Sequence, residues 1–102
     1  MERIPYEQMV AEFQRVLTAT GVPAADAGKL ARVFADNSRD GVPSHGLNRF
    51  PGFIRGVRDG GVDIGARATP VAALGAMEQW DGHRGPGILN GLACMGRAIE
   101  LA

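Results

Sequence analysis

The sequence predicts a mainly helical α+β fold in a single segment, residues 1–102, with N-terminal helices, one β-hairpin and a C-terminal helix. Three observations lead there. Apolar residues recur with a helical period in four windows. Proline and glycine punctuate the ends of those windows. A glycine-led two-residue loop separates two short runs, which suits a hairpin. A chain of 102 residues buries roughly 60–70% of its unfolded surface, enough for a modest core.

The first helix is expected over about 6–20, where Met9, Phe13, Val16 and Leu17 share a face. Pro5 sits near its start, Glu7 lies in its first turn and Gly21 stops it. The second is expected over 24–39, with Ala27, Leu30, Ala31 and Phe34 inward, Pro23 and Asp26 at its start and Gly41 at its end. The short link Gly21-Val22-Pro23 makes the two an antiparallel pair. A third helix is expected over about 47–58, with Leu47, Phe50, Ile54 and Val57 as its stripe. Pro51 is tolerated only in a first turn, so the start should lie close to His45. Asp59-Gly60-Gly61 breaks the chain. The hairpin is expected over about 71–80, turning at Gly75-Ala76 in a type II′ loop that sets Leu74 against Met77 and Val71 against Trp80. The last helix is expected over about 87–102, with Pro86 at its first position and a stripe of Ile88, Leu92, Met95, Ile99 and Ala102. It ends on Leu101-Ala102 in mid-pattern without a capping glycine, so we expect these residues to be the first part of a longer protein.

Composition narrows the function. Lys+Arg and Asp+Glu balance at 11 each, and the ten Arg and one Lys are scattered. No basic stripe points to nucleic acid, and no apolar run approaches the ~20 residues of a membrane helix. Cys94 is the single cysteine, which excludes an internal disulfide and fits a reducing compartment. With no export pattern, a cytoplasmic location is expected.

One stretch looks shaped for chemistry, Asp40-Gly41-Val42-Pro43-Ser44-His45-Gly46-Leu47-Asn48-Arg49-Phe50-Pro51. An imidazole exchanges protons near neutral pH. Ser44 and Gly46 leave room beside His45 for a substrate. Arg49, one turn on, can fork onto a carboxylate, and a nearby helix start offers free N–H groups. Together they form a pocket for a small anionic carbonyl compound, with Arg49 and the helix end on the carboxylate and His45 facing the carbonyl oxygen. The competing structural role makes Ser44 an N-cap and His45 a surface loop residue. A proton donor must carry its proton, and a helix N-terminus works against that. A carboxylate neighbour would offset it; Asp40 is near in sequence, and the alternative is a partner outside these residues.

Other motifs carry less. Gly85-Pro86-Gly87-Ile88-Leu89-Asn90 departs from G-x-G-x-x-G at Asn90, and Pro86 lacks an N–H, so we read it as a helix start. His45 and His83 belong to no metal-ligand cluster, and no metal is expected. Cys94 is expected packed and inert, and Trp80 to pack in the hairpin.

The run from Gly41 to Ile54, with its Ser44-His45-Gly46 and Asn48-Arg49-Phe50-Pro51 core, resembles the signature of the malate/L-lactate dehydrogenase family that lacks a Rossmann fold. Leu74 to Asp81 followed by Arg84, and Arg97 to Ala102, match in the same order, so the resemblance covers nearly the whole chain. It implies a homodimeric oxidoreductase using NAD, or NADP, on 2-oxo or 2-hydroxy acids. It gives His45 the role of proton donor, and it agrees with substrate contacts for Arg49 and Ser44. Family chains are much longer, and their cofactor-binding segments have no matching positions here, so the cofactor-binding residues are unknown. We therefore expect these residues alone to have little or no reductase activity. The alternative is a small non-catalytic helical module that docks through its last helix.

Overall fold

The computed structural model describes residues 3–102. Helix α1, Tyr6–Ala19, and helix α2, Ala24–Arg39, fold back on each other. Both begin after a proline, and both end in the same device. Gly21 (φ 105°) and Gly41 (φ 84°) adopt left-handed backbone. The N–H of the next residue returns to the helix, Val22 to Leu17 O at 3.1 Å and Val42 to Asn37 O at 2.7 Å. This Schellman arrangement satisfies carbonyls that a helix end leaves free.

The expected inward faces of α1 and α2 are observed, and Val10, Ala35 and Leu89 join the core. Leu17, Leu30 and Phe34 are fully buried. Four phenylalanines lock the centre. Phe13 stacks on Phe50 at 4.3 Å between centroids, and Phe34 meets Phe50 edge-on at 5.3 Å and Phe53 at 5.5 Å.

The third helix, α3, runs Phe50–Arg58 and not from residue 47. Residues 43–45 form a 3-10 turn, and 46–49 are further turns. Pro43 O accepts from the N–H groups of Gly46 and Asn48, and Gly46 O from those of Arg49 and Phe50. These bonds tie the segment into turns before Pro51 opens the helix. Leu47, expected on the buried stripe, is therefore left 47% exposed.

The hairpin comprises β1, Thr69–Leu74, and β2, Met77–Asp81, paired antiparallel. Gly75 has φ 59° and Ala76 has no positive φ, as a type II′ loop requires. Leu74 faces Met77 as expected. Val71 does not face Trp80. Pro70 does, Ala72 faces Gln79, and Val71 is bulged between them. Pro70 has no N–H to donate to the ladder, which accounts for the irregularity.

Helix α4, Gly87–Leu101, starts one residue later than a first-turn Pro86 would give, with the buried Pro86 as its cap. Of its expected stripe only Ile88 packs on the core, while Leu92, Met95 and Ile99 face solvent. The helix is pinned to the hairpin by a fork. Arg97 Nε and Nη2 each donate to Glu78 at 2.9 Å, and Trp80 Nε1 donates to the same carboxylate at 3.1 Å. Those donors hold the Glu78 carboxyl below the ordinary carboxylate range, Arg97 first and Trp80 second. A carboxyl depressed in the folded state stabilises fully above its unfolded value and less as pH falls through the folded value. Acidification from about pH 6 to pH 3 should therefore lower the thermal midpoint, and Glu78→Gln should flatten that dependence. Circular dichroism melts across this range check it.

Candidate functional site

The end of α2 sets the geometry. Its Schellman turn delivers the chain at Val42, and two polar side chains of the last α2 turn hold the 43–49 loop. Asn37 Nδ2 donates to His45 O at 3.1 Å, and Ser38 Oγ accepts from Leu47 N–H at 2.8 Å. Gly46 permits this approach. A Cβ there would lie 2.7 Å from Ser38 N and 2.9 Å from Phe34 O, and closer still to Ser38 Oγ. Neither backbone atom can retreat cheaply, since both belong to α2. Gly46→Ala should thus push the loop off α2 and cost about 1–3 kcal/mol. Chemical denaturation reads the loss, and the proton shifts of the His45 ring read the displacement.

His45 and Arg49 line one cavity of about 360 Å³, with Phe34, Asn37, Gly52, Phe53 and Ile88 completing its wall. Both side chains are exposed. Among the described residues Arg49 makes no ion pair and no side-chain hydrogen bond. A guanidinium left unpaired at an apolar wall is ready to take a planar carboxylate in two parallel hydrogen bonds. Ser44 is not part of the wall. Its Oγ lies 3.1 Å from His45 Nδ1, so its hydroxyl is spent on the imidazole.

Two expectations are corrected. Ser44 does not cap α3, because the helix begins after Arg49 and has no side-chain cap. The supply of free N–H groups beside His45 is also smaller than expected. Phe50 and Phe53 donate to Gly46 O and Arg49 O, Pro51 has no N–H, and within the first turn only Gly52 lacks a backbone partner. Asp40 caps α2 and lies 3.7 Å from Arg39, and among the described residues no carboxylate lies within ion-pair distance of His45.

His83 sits elsewhere, with its Nε2 2.6 Å from Thr69 Oγ1 and its backbone N–H on Asp81. No group of three metal-ligating side chains exists among the described residues. The Gly85–Asn90 stretch is a helix start. Asn90 Oδ1 accepts from Ala68 N–H at 2.9 Å, and its Nδ2 donates to Gly82 O at 3.1 Å. The side chain thus fastens two loops where a dinucleotide site would need open backbone. Cys94 is half-buried beside Trp80 in a second cavity between the hairpin and α4.

Sequence reasoning missed Asn37, Ser38 and the apolar wall of Phe34, Phe53 and Ile88. A usable signal existed for the first two, since short polar side chains in a last helical turn often bond to the returning chain. Ile88 comes from the far end of the sequence, and no local pattern announces its place.

A family model for malate/L-lactate dehydrogenase matches residues 4–102. The 2,3-diketo-L-gulonate reductase of Mannheimia succiniciproducens is 44% identical over 100 residues, covering 98% of this chain and 30% of its own. Malate dehydrogenase from Pyrococcus horikoshii OT3 superposes with a TM-score of 0.93 at 31% identity, covering 99% of this chain and 29% of its own. Delta1-piperideine-2-carboxylate reductase from Pseudomonas syringae pvar. tomato does so with a TM-score of 0.84 at 26% identity, covering all of this chain and 31% of its own. The chain spans about 30% of the length of the relatives it matches.

Proposed function

This chain belongs to the malate/L-lactate dehydrogenase family, and we propose that it supplies the substrate and proton-donor site of a reductase acting on a 2-oxo acid of the 2,3-diketo-L-gulonate type. The observation that carries this is the unpaired Arg49 beside His45 in one cavity. Arg49 takes the substrate carboxylate. His45 faces the keto oxygen and gives it a proton as the carbonyl carbon gains hydride, so that C=O becomes CH–OH with a proton and two electrons accounted for. Ser44 serves the substrate through His45, holding Nδ1 so that the ring is fixed.

A reduced nicotinamide, NADH or NADPH, would supply the hydride in this chemistry. The Gly85–Asn90 stretch does not fit as a dinucleotide cradle, because Pro86 is buried without an N–H and Asn90 is committed to Ala68 and Gly82. We therefore infer that these residues alone reduce little or no 2,3-diketogulonate. Measurable NADH oxidation by the purified chain would contradict that. We also propose a cytoplasmic homodimer for the complete enzyme. No described helix is long and apolar enough to cross a membrane.

The test uses a chimera in which this chain replaces the third of the Mannheimia reductase that it matches. Arg49→Leu should raise KM for the 2-oxo acid by about 10²-fold or more, the size of a lost charged hydrogen-bonding group. Arg49→Lys should restore part of it, since a lysine keeps the charge and loses the fork. An unchanged KM removes Arg49 from the substrate site.

A further inference from the structure

Three polar side chains stand on the wall of the cavity, and the proposed function uses two of them, Arg49 on the carboxylate and His45 on the keto oxygen. The third, Asn37, is half-buried in the last turn of α2. One hydrogen bond orients its carboxamide. The carbonyl oxygen of His45 only accepts, so the Asn37 atom that meets it at 3.1 Å is the nitrogen Nδ2. Oδ1 is then the other end of the amide, an acceptor with no partner among the described residues. The remaining side chains of the wall, Phe34, Phe53 and Ile88, are apolar. A ligand in the cavity therefore meets hydrocarbon wherever it does not meet Arg49, His45 or Asn37. An apolar lining with a few placed polar groups is the usual make-up of a small-molecule site.

Volume leaves room for more than the reacting head of the substrate. The carboxylate, carbonyl and next carbon of a 2-oxo acid come to about 180 Å³ at roughly 30 Å³ per water-sized group. The cavity holds about 360 Å³, so a tail of similar size fits beside the head. The polar group left to meet that tail is the Asn37 carboxamide.

We propose that Asn37 is a specificity-determining residue, whose Oδ1 accepts a hydrogen bond from a hydroxyl on the substrate's tail, so that the site selects hydroxyl-bearing 2-oxo acids. The assignment rests on the proposed function, since Arg49 and His45 fix which end of the substrate is the tail. A neutral acceptor pairs with a hydroxyl, is left unpaired by a methylene, and repels a second carboxylate. The same carboxamide also holds the 43–49 loop through His45 O, and a comparison of two substrates separates the two roles.

In the chimera, kcat/KM is measured for 2,3-diketogulonate and for 2-oxohexanoate, a 2-oxo acid of equal carbon number without hydroxyls. Asn37→Leu, close in size, should lower the ratio of the first to the second about tenfold or more, the effect of leaving one partner of a hydrogen bond unpaired. The change should fall chiefly on KM for the hydroxylated acid. A loosened loop would instead displace His45, slow both substrates alike and leave the ratio where it was. Asn37→Asp loses the donor to His45 O and keeps an acceptor, so it should slow both substrates and retain most of the ratio. Circular dichroism checks folding, and Asn37→Ala takes the place of the leucine variant if that one folds poorly. An unchanged ratio in the leucine or alanine variant overturns the proposal, as does a ratio in the aspartate variant that falls equally far. Both outcomes leave Arg49 and His45 in their roles. An Arg49→Leu variant with unchanged KM removes the proposed function, and the assignment of Asn37 falls with it.

Discussion

Changing His45 to alanine in the chimera should lower 2-oxo acid reduction by about 10²–10⁴-fold, the usual contribution of a positioned general acid, with cofactor affinity unchanged. The expectation comes from position. The imidazole lines the cavity that also holds Arg49, its Nδ1 is taken up by Ser44 Oγ, and Nε2 is the ring nitrogen with no partner among the described residues. The ring packs in no core, so its removal should leave folding intact. Steady-state kinetics beside a cofactor titration separate the two effects. Full turnover in the variant would end the assignment, and a parallel loss of cofactor affinity would mean that the ring holds the site together and donates no proton.

The second large effect concerns stability. Phe34→Ala should cost about 3–5 kcal/mol, the range for removing a buried aromatic ring. Phe34 is 2% exposed and meets Phe13, Phe50 and Phe53. It also lines the cavity with His45 and Arg49, and its carbonyl lies against Gly46. One ring thus joins the core to the site. Stabilities of small domains are about 5–15 kcal/mol, so the loss is a large share. Urea unfolding measures it, and a cost below about 1 kcal/mol would show that the surroundings collapse into the space.

Particular residues show why some of this is legible in the sequence and some is not. The limits of α2 can be read outright, because Pro23 and Gly41 act locally and the Schellman turn needs only a glycine of left-handed backbone. The start of α3 cannot, because the 43–49 segment is held by Ser38 and Asn37, nine and eight residues back, and helical spacing alone does not show such bonds. The bulge at Val71 is legible in principle, as Pro70 cannot donate to a ladder. The α4 stripe is visible as a pattern, yet the periodicity says only that a face is apolar and not what covers it. His45 and Arg49 stand out because residue types carry chemistry wherever they lie. The cavity that joins them does not, since it needs Ile88 from the other end of the chain.

We propose that Arg49 grips a carboxylate while His45 meets the neighbouring carbonyl oxygen. A crystal structure of the chimera with oxamate, an unreactive stand-in for a 2-oxo acid, tests this most directly. The expected result has the oxamate carboxylate forked on Arg49 and its amide oxygen within hydrogen-bond distance of His45. Oxamate bound away from Arg49, or His45 turned out of the cavity with the ligand in place, would contradict it.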